Sequence, residues 1–245
     1  MKNILTNGAE IEVISTGKKY HTLLDWGLAI GNNNYIKEPE AYTYFVEVPG
    51  RNGMLDLTEA ITGYPIYQSR QIELELGGIQ ERTAWDTVIS GIRNKIHGKQ
   101  VKIVFDNDKA YYWKGRATVT AFDRTRKLGT FNINVEAEPY KYQVYSTLDK
   151  WEWDPFSFVD GIIEQYFSLA VSNQLTLDIH GDILMPFSPV IYVTGAVTSV
   201  QFEGDIYSLK EGKNLLPDIN IFGSGNKLIF KGNGTISVEY RRGSL

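Results

Sequence analysis

The sequence predicts a mainly β protein of two domains, an α+β unit followed by an all-β unit. Three observations carry this. The 245 residues include 15 Tyr, 11 Phe and 5 Trp beside 23 Gly, a usage that suits strands joined by tight turns. Clean alternation of apolar and polar residues appears twice in the first half, with one helix-period segment between. Short strand-like runs punctuated by glycine fill the last eighty residues.

In chain order, Tyr42 to Val48 (YTYFVEV) reads as a strand that stops at the Pro49-Gly50 turn signal. Arg70 to Leu76 alternates, with Ile72, Leu74 and Leu76 on one side and Gln71, Glu73 and Glu75 on the other. Val101 to Phe105 and Ala117 to Phe122 are further strands. In Thr130 to Ala137, Phe131, Ile133, Val135 and Ala137 oppose Asn132, Asn134 and Glu136. The helix runs roughly from Ala84 to His97, where Trp85, Ile89, Ile92 and Ile96 share one face at a period of 3.6. Thr83 with Asp86 offers a capping box at its start, and Gly98 a stop after His97. One apolar stripe needs a sheet to lie on, so this segment belongs to an α+β layer.

The pattern changes near Glu138-Pro139-Tyr140. An aromatic-heavy segment follows without a period, too poor in Gly and Ser for a flexible linker. The boundaries are a first domain over 1–140, a connector over 141–163 and a second domain over 164–245. In the latter, Gln174 to Ile179, Val190 to Thr194, Ser199 to Phe202, Lys227 to Phe230 and Thr235 to Tyr240 read as short strands of a β-sandwich. The glycines between them, Gly195 and Gly234 included, read as turns.

Composition narrows the function. The net charge is −4 and basic residues occur only in short groups such as Arg241-Arg242, so the sequence shows no long stripe for phosphate neutralisation. No apolar run approaches the length of a membrane span, and Met1 to Glu10 has no apolar core of a secretory signal. The absence of cysteine removes disulfides, thiolate catalysis and Cys-based zinc sites.

No catalytic constellation emerges. His21, His97 and His180 lack metal-ligand spacing, and His97 suits a helix C-terminus. Asp106-Asn107-Asp108 begins like a calcium loop but lacks its Gly and Glu, and a turn between two strands fits better. Gly223-Ser224-Gly225 is not followed by a helix, and Asn233-Gly234-Thr235, formally a glycosylation sequon, reads as a hairpin turn. No serine sits in a nucleophile elbow, and 29 acidic residues mark no particular acid/base pair. Neither enzyme activity nor a cofactor or metal is expected. Tyr111, Tyr112 and Trp113 could stack on sugar rings or pack in the core; Trp151 and Trp153 read as packing.

The residues also resemble a family. Val48 to Leu57 (VPGRNGMLDL), Trp85, Ile96 to Ile103 (IHGKQVKI), Tyr112, Gly115, Arg116 and Val135 to Lys141 (VEAEPYK) are similar to the N-terminal domain of the distal tail (Dit) proteins of long-tailed phages (siphophages) of Gram-positive hosts. Trp153 to Phe158 (WDPFSF) resembles the family's interdomain segment. Ser224 to Phe230 and Val238 to Arg241 resemble the end of its C-terminal domain.

The resemblance implies a tail-tube-like β-sandwich with one flanking helix, followed by a galectin-like β-sandwich. It implies a hexameric ring at the virion tail tip, assembled in the host cytoplasm, between the tail tube protein and the tail-associated hub. Baseplate or receptor-binding proteins would dock on the second domain, and DNA would pass through the bore unbound. Within that frame Pro49, Gly50, Arg51, Asn52 and Gly53 are candidates for the ring interface. Glu73 and Glu75 are candidates for lining the bore, where acidic side chains repel phosphates. The competing reading is a carbohydrate-binding adhesion module using Tyr111, Tyr112 and Trp113.

Overall fold

Strands whose apolar residues fall on one face build most of the molecule. The computed structural model describes residues 8–31, 34–79, 84–125, 128–149, 166–182 and 185–245. The chain divides into two units, Met1–Asp108 with Tyr112–Lys141 and Leu245, and Lys109–Tyr111 with Tyr142–Ser244. The fold is mainly β, as expected, and α1 is the one helix among the described residues.

The first unit holds β1 (Ala9–Val13), β2 (Lys18–His21), β3 (Ala29–Ile30), β4 (Tyr35–Ile36), β5 (Phe45–Glu47), β6 (Met54–Asp56), β7 (Arg70–Ile79), α1 (Trp85–Ile96), β8 (Gln100–Phe105), all but the first residue of β9 (Tyr111–Thr125), and β10 (Leu128–Ala137). Its antiparallel sheet runs β2-β1-β8-β9-β10-β7, with β3 and β4 both on the far edge of β7. Register follows the alternation. Ile72, Leu74 and Leu76 pair with Val135, Ile133 and Phe131, and all six are buried. Each such side chain contributes about 1.5–3 kcal/mol by leaving water, so a one-residue slip is strongly opposed.

The helix lies where its period placed it, with Trp85, Ile89, Ile92 and Ile96 buried in the same core. Gly129 makes room for it: a Cβ there would stand 2.6 Å from the Trp85 ring. At the C-terminus His97 leaves the helical conformation, and its Nδ1 accepts a 3.1 Å bond from the Val119 amide. Thr83 lies outside the described residues. Ala84 occupies the N-cap position, with no side-chain cap bond.

The second unit contains most of β11 (Lys141–Gln143), then β12 (Leu169–Ile179), β13 (Val190–Phe202), β14 (Asp205–Ser208), β15 (Gly212–Leu215), β16 (Asn226–Glu239) and β17 (Gly243–Ser244). Its main sheet runs β12-β16-β13, and the far side of β13 is shared by β15 along Val190–Val193 and β14 along Ser199–Phe202.

Here the sequence reading needs correction. Val190 to Thr194 and Ser199 to Phe202 are one strand, and so are Lys227 to Phe230 and residues 235–239. Neither Gly195 nor Asn233-Gly234 is a turn. A crease crosses three neighbouring strands instead. Gly195 pairs with Gly234 and Asn173 with Gly232, the four residues have φ of 91°, 159°, 64° and 127° respectively, and β13 carries a bulge between Val197 and Ser199. Side chains at Gly232 and Gly234 would collide with the carbonyls of Ala196 and Thr194 on the adjacent strand. Glycine therefore marks a bend within long strands.

Candidate assembly surfaces

Between β4 and β7 the chain leaves the sheet as an arm. Its two legs are held by the amides of Lys37, Gln68 and Tyr42, which donate to the carbonyls of Gln71, Glu40 and Ile66 at 2.8 Å each. Beyond them β5 and β6 pair as an isolated two-stranded sheet, Phe45 with Asp56, Val46 with Leu55 and Glu47 with Met54. The Thr58 hydroxyl accepts from the Tyr44 amide at 3.0 Å, and the Thr58 amide donates to Asp56 at 2.9 Å. The Thr58 hydroxyl and amide together hold the Asp56 carboxyl below the ordinary aspartate range.

No residue of β5 or β6 is buried. Met54 is 58% exposed, and Tyr42, Tyr44, Phe45 and Ile66 are exposed as well. Ile61, in the turn beside the hairpin, is 97% exposed. A two-stranded hairpin with neither face covered is marginal in water, and exposed apolar groups gathered on one element mark an interaction surface.

Pro49 to Gly53 form the tip of this hairpin. The Arg51 amide donates to the Val48 carbonyl at 3.1 Å, Gly50 and Gly53 take positive φ, and all five residues are exposed. The Arg51 side chain has no ion-pair partner among the described residues. Tyr42 to Val48, expected as one strand, is β structure only over Phe45–Glu47, because no core lies against it.

Glu73 and Glu75 point to the polar side of β7. Opposite them on β10 stand Asn134 and Asn132, and Gln71 faces Glu136. With Arg116 and Thr118 of β9, Gln71, Glu73, Asn134 and Glu136 line a groove of about 560 Å³ on this face. Arg116 donates to the Gly98 carbonyl at 2.6 Å, so it is turned toward the end of the helix.

The three aromatics do not form an open platform. Tyr112 and Trp113 are 8% and 6% exposed, while Tyr111 is half-buried. Lys102 covers the Tyr112 ring at 5.2 Å, and Arg70 covers the Trp113 ring at 4.5 Å. Stacking on a sugar would require uncovering both rings. Trp151 and Trp153 lie outside the described residues. The calcium-like triplet is dispersed: Asp106 pairs with His21 at 3.1 Å, Asp108 with Lys141 at 2.7 Å.

A chain of this build has a counterpart among solved structures. Its fold is similar to that of a phage tail protein. The crystal structure of the SPP1 Dit (gp 19.1) protein, described as a paradigm of the hub adsorption apparatus in phages that infect Gram-positive hosts, matches over 97% of this chain and 99% of its own, with a TM-score of 0.55 and 11% identity. No protein-family model matches the sequence, and no curated protein does.

The residue pattern singled out the Pro49–Gly53 loop with the strand before it, but not the exposure of that strand. Tyr42, Tyr44 and Phe45 were visible as an aromatic strand, yet nothing in the residue types shows that neither face is buried. Arg70 was overlooked although the parity held the clue, since it shares the inward side of β7 with Ile72, Leu74 and Leu76 and is buried like them.

Proposed function

We propose that this protein is a structural subunit of a phage tail tip, assembling as a hexameric ring between the tail tube and the hub, and that it is not an enzyme. The exposed arm carries this reading. Six large apolar residues (Tyr42, Tyr44, Phe45, Met54, Ile61 and Ile66) stand in solvent on an element too small to hold itself together, which is what an assembling subunit presents before its neighbour arrives. The likeness to SPP1 Dit over nearly the full length of both chains supports the same reading.

In this reading residues 1–140 build the ring and residues 164–245 project as a galectin-like platform for baseplate or receptor-binding components. Arg51 at the arm tip lies in the contact between copies. The face with Glu73, Glu75 and Glu136 lines the bore, where three carboxylates discourage DNA from lodging. No helix among the described residues is long and apolar enough to cross a membrane.

Light scattering over a concentration series, with negative-stain images, tests the assembly. Six copies of 27.7 kDa weigh about 166 kDa, and a species of that mass with a central hole is expected. A monomer at every concentration overturns self-assembly. Reversing Glu73 and Glu75 to Lys should slow DNA release from particles that still assemble, and unchanged release would remove the bore assignment.

A further inference from the structure

The arm needs a surface to lie on, and the opposite end of the same sheet offers one. In strand order β2 and the β7–β4 edge are the two ends, with β1, β8, β9 and β10 between them. The arm departs from the β7–β4 end. Arm and β2 are thus different surfaces of one chain, as head-to-tail contacts in a closed ring require.

Their chemistry is complementary. Beyond its legs the arm carries Glu47, Asp56 and Glu59 against the single base Arg51, interleaved with exposed Phe45 and Met54. At β2, Lys18 is exposed, and Lys95 of α1 reaches over the Tyr20 ring at 4.9 Å. Neither lysine has a carboxylate partner among the described residues, whereas Lys19 is matched by Glu10 at 2.8 Å. The other acids of this region are also engaged: Glu12 pairs with Lys102 at 3.8 Å, Asp106 with His21 at 3.1 Å, and Asp25 accepts the His21 amide at 2.6 Å. The turn that follows β2 holds up Leu24, 76% exposed. Cations without carboxylate partners, at the same end of the sheet as an exposed apolar side chain, mirror the acids that flank Phe45 and Met54 in the arm.

We propose that the arm of one copy seats on the β2 end of the next, with Met54 and Phe45 against Leu24, and Glu47 and Glu59 toward Lys18 and Lys95. The inference rests on the ring reading and adds the identity of the receiving surface. Opposite charges at a wet interface act mainly on register and partner choice, so they would set which end of the sheet the arm accepts.

The chain has no cysteine, which permits a clean cross-linking test in the full-length protein. Leu24→Cys with Met54→Cys, oxidised at concentrations where the ring forms, should give a covalent ladder ending at six copies. Leu24→Cys alone should give none, and Met54→Cys alone nothing beyond a dimer. Lys18→Glu with Lys95→Glu should lower the assembled fraction at least tenfold, and adding Glu47→Lys with Glu59→Lys should restore it. An intact ring without the ladder, or an assembled fraction unchanged by the reversal, overturns the seating and leaves the ring reading in place. A wild-type chain that stays monomeric overturns both.

Discussion

The Arg70 guanidinium lies 4.5 Å from the centre of the Trp113 ring, with its Nη2 3.9 Å from the Glu38 carboxylate. The side chain is 2% exposed, and neither Nε nor Nη2 meets a hydrogen-bond acceptor. Burial lowers the pKa of the group, against the pull of Glu38, though a guanidinium remains charged throughout the folded range. The aromatic face contributes up to about 2 kcal/mol, while each unmatched donor costs about 1–3 kcal/mol. The balance is unfavourable.

Replacing Arg70 by Met should therefore leave the thermal midpoint of the first unit unchanged or raise it, as for other buried charges exchanged for apolar groups. Glu38→Ala should change little, because that carboxylate is solvated. A fall of more than about 5 °C in Arg70→Met, roughly 1 kcal/mol, would show that the guanidinium is better satisfied than its geometry indicates.

Gly129→Ala should destabilise the first unit by about 1–3 kcal/mol, because the new methyl meets a fully buried Trp85 ring that has nowhere to move. Trp85→Ala should cost about 3–5 kcal/mol on its own. The two changes touch each other, so the double variant should be less damaged than the sum. Denaturant midpoints of the four proteins measure this, and strict additivity would mean the ring and the glycine are not in contact.

Alkali should loosen the second unit. The Tyr192 hydroxyl donates to Glu239 at 2.9 Å, and this bond, with burial and the carboxylate charge, raises the phenol pKa above its ordinary value. A raised folded-state pKa gives stability that is complete below the unfolded value of about 10 and lost as pH rises through the folded one. Tyr192→Phe should flatten that part of the pH–stability curve, as read by thermal melts between neutral and strongly alkaline pH. A slope identical to wild type would assign the alkaline loss to other groups.

Acid should act on the arm. The Asp56 carboxyl is held below its ordinary range by Thr58, so the contribution of this contact is present above the unfolded-state pKa and disappears as pH falls through the depressed folded one. Carbon-detected NMR titration should find Asp56 titrating below an unperturbed aspartate, and Thr58→Ala should return it to the ordinary value. An unshifted Asp56 in the wild type would mean the turn is not formed in solution.

What could be read in advance depended on burial. Arg70 to Leu76 and Thr130 to Ala137 were legible because one face of each strand enters the core, which writes a period of 2 into the residue types. The α1 stripe was legible for the same reason. The arm left no such mark: β5 and β6 bury neither face, so Phe45 and Met54 look like core residues until the structure places them in solvent. In the second unit glycine misled. Gly195, Gly232 and Gly234 satisfy the usual signature of turns, and only the pairing of β12, β16 and β13 straight across them shows a bend instead. Burial of Tyr112 and Trp113 also had no local signal, since the cations that cover them come from β7 and β8.

The bulge at the crease has one more consequence. Before it, β13 turns odd-numbered residues inward, with Ile191, Val193 and Val197 buried; beyond it the even-numbered Val200 and Phe202 are buried instead. On β16, which runs alongside without an extra residue, Leu228, Phe230, Ile236 and Val238 keep a single parity throughout. The residue between Val197 and Ser199 is thus a phase shifter that lets two strands of unequal count share one interior. Thr198 occupies it, with its hydroxyl bonded to the Lys231 carbonyl at 3.3 Å. The bulge matters more than the identity of that residue: pairing straight through Thr198 without it would turn Val200 and Phe202 outward and bring Gln201 in.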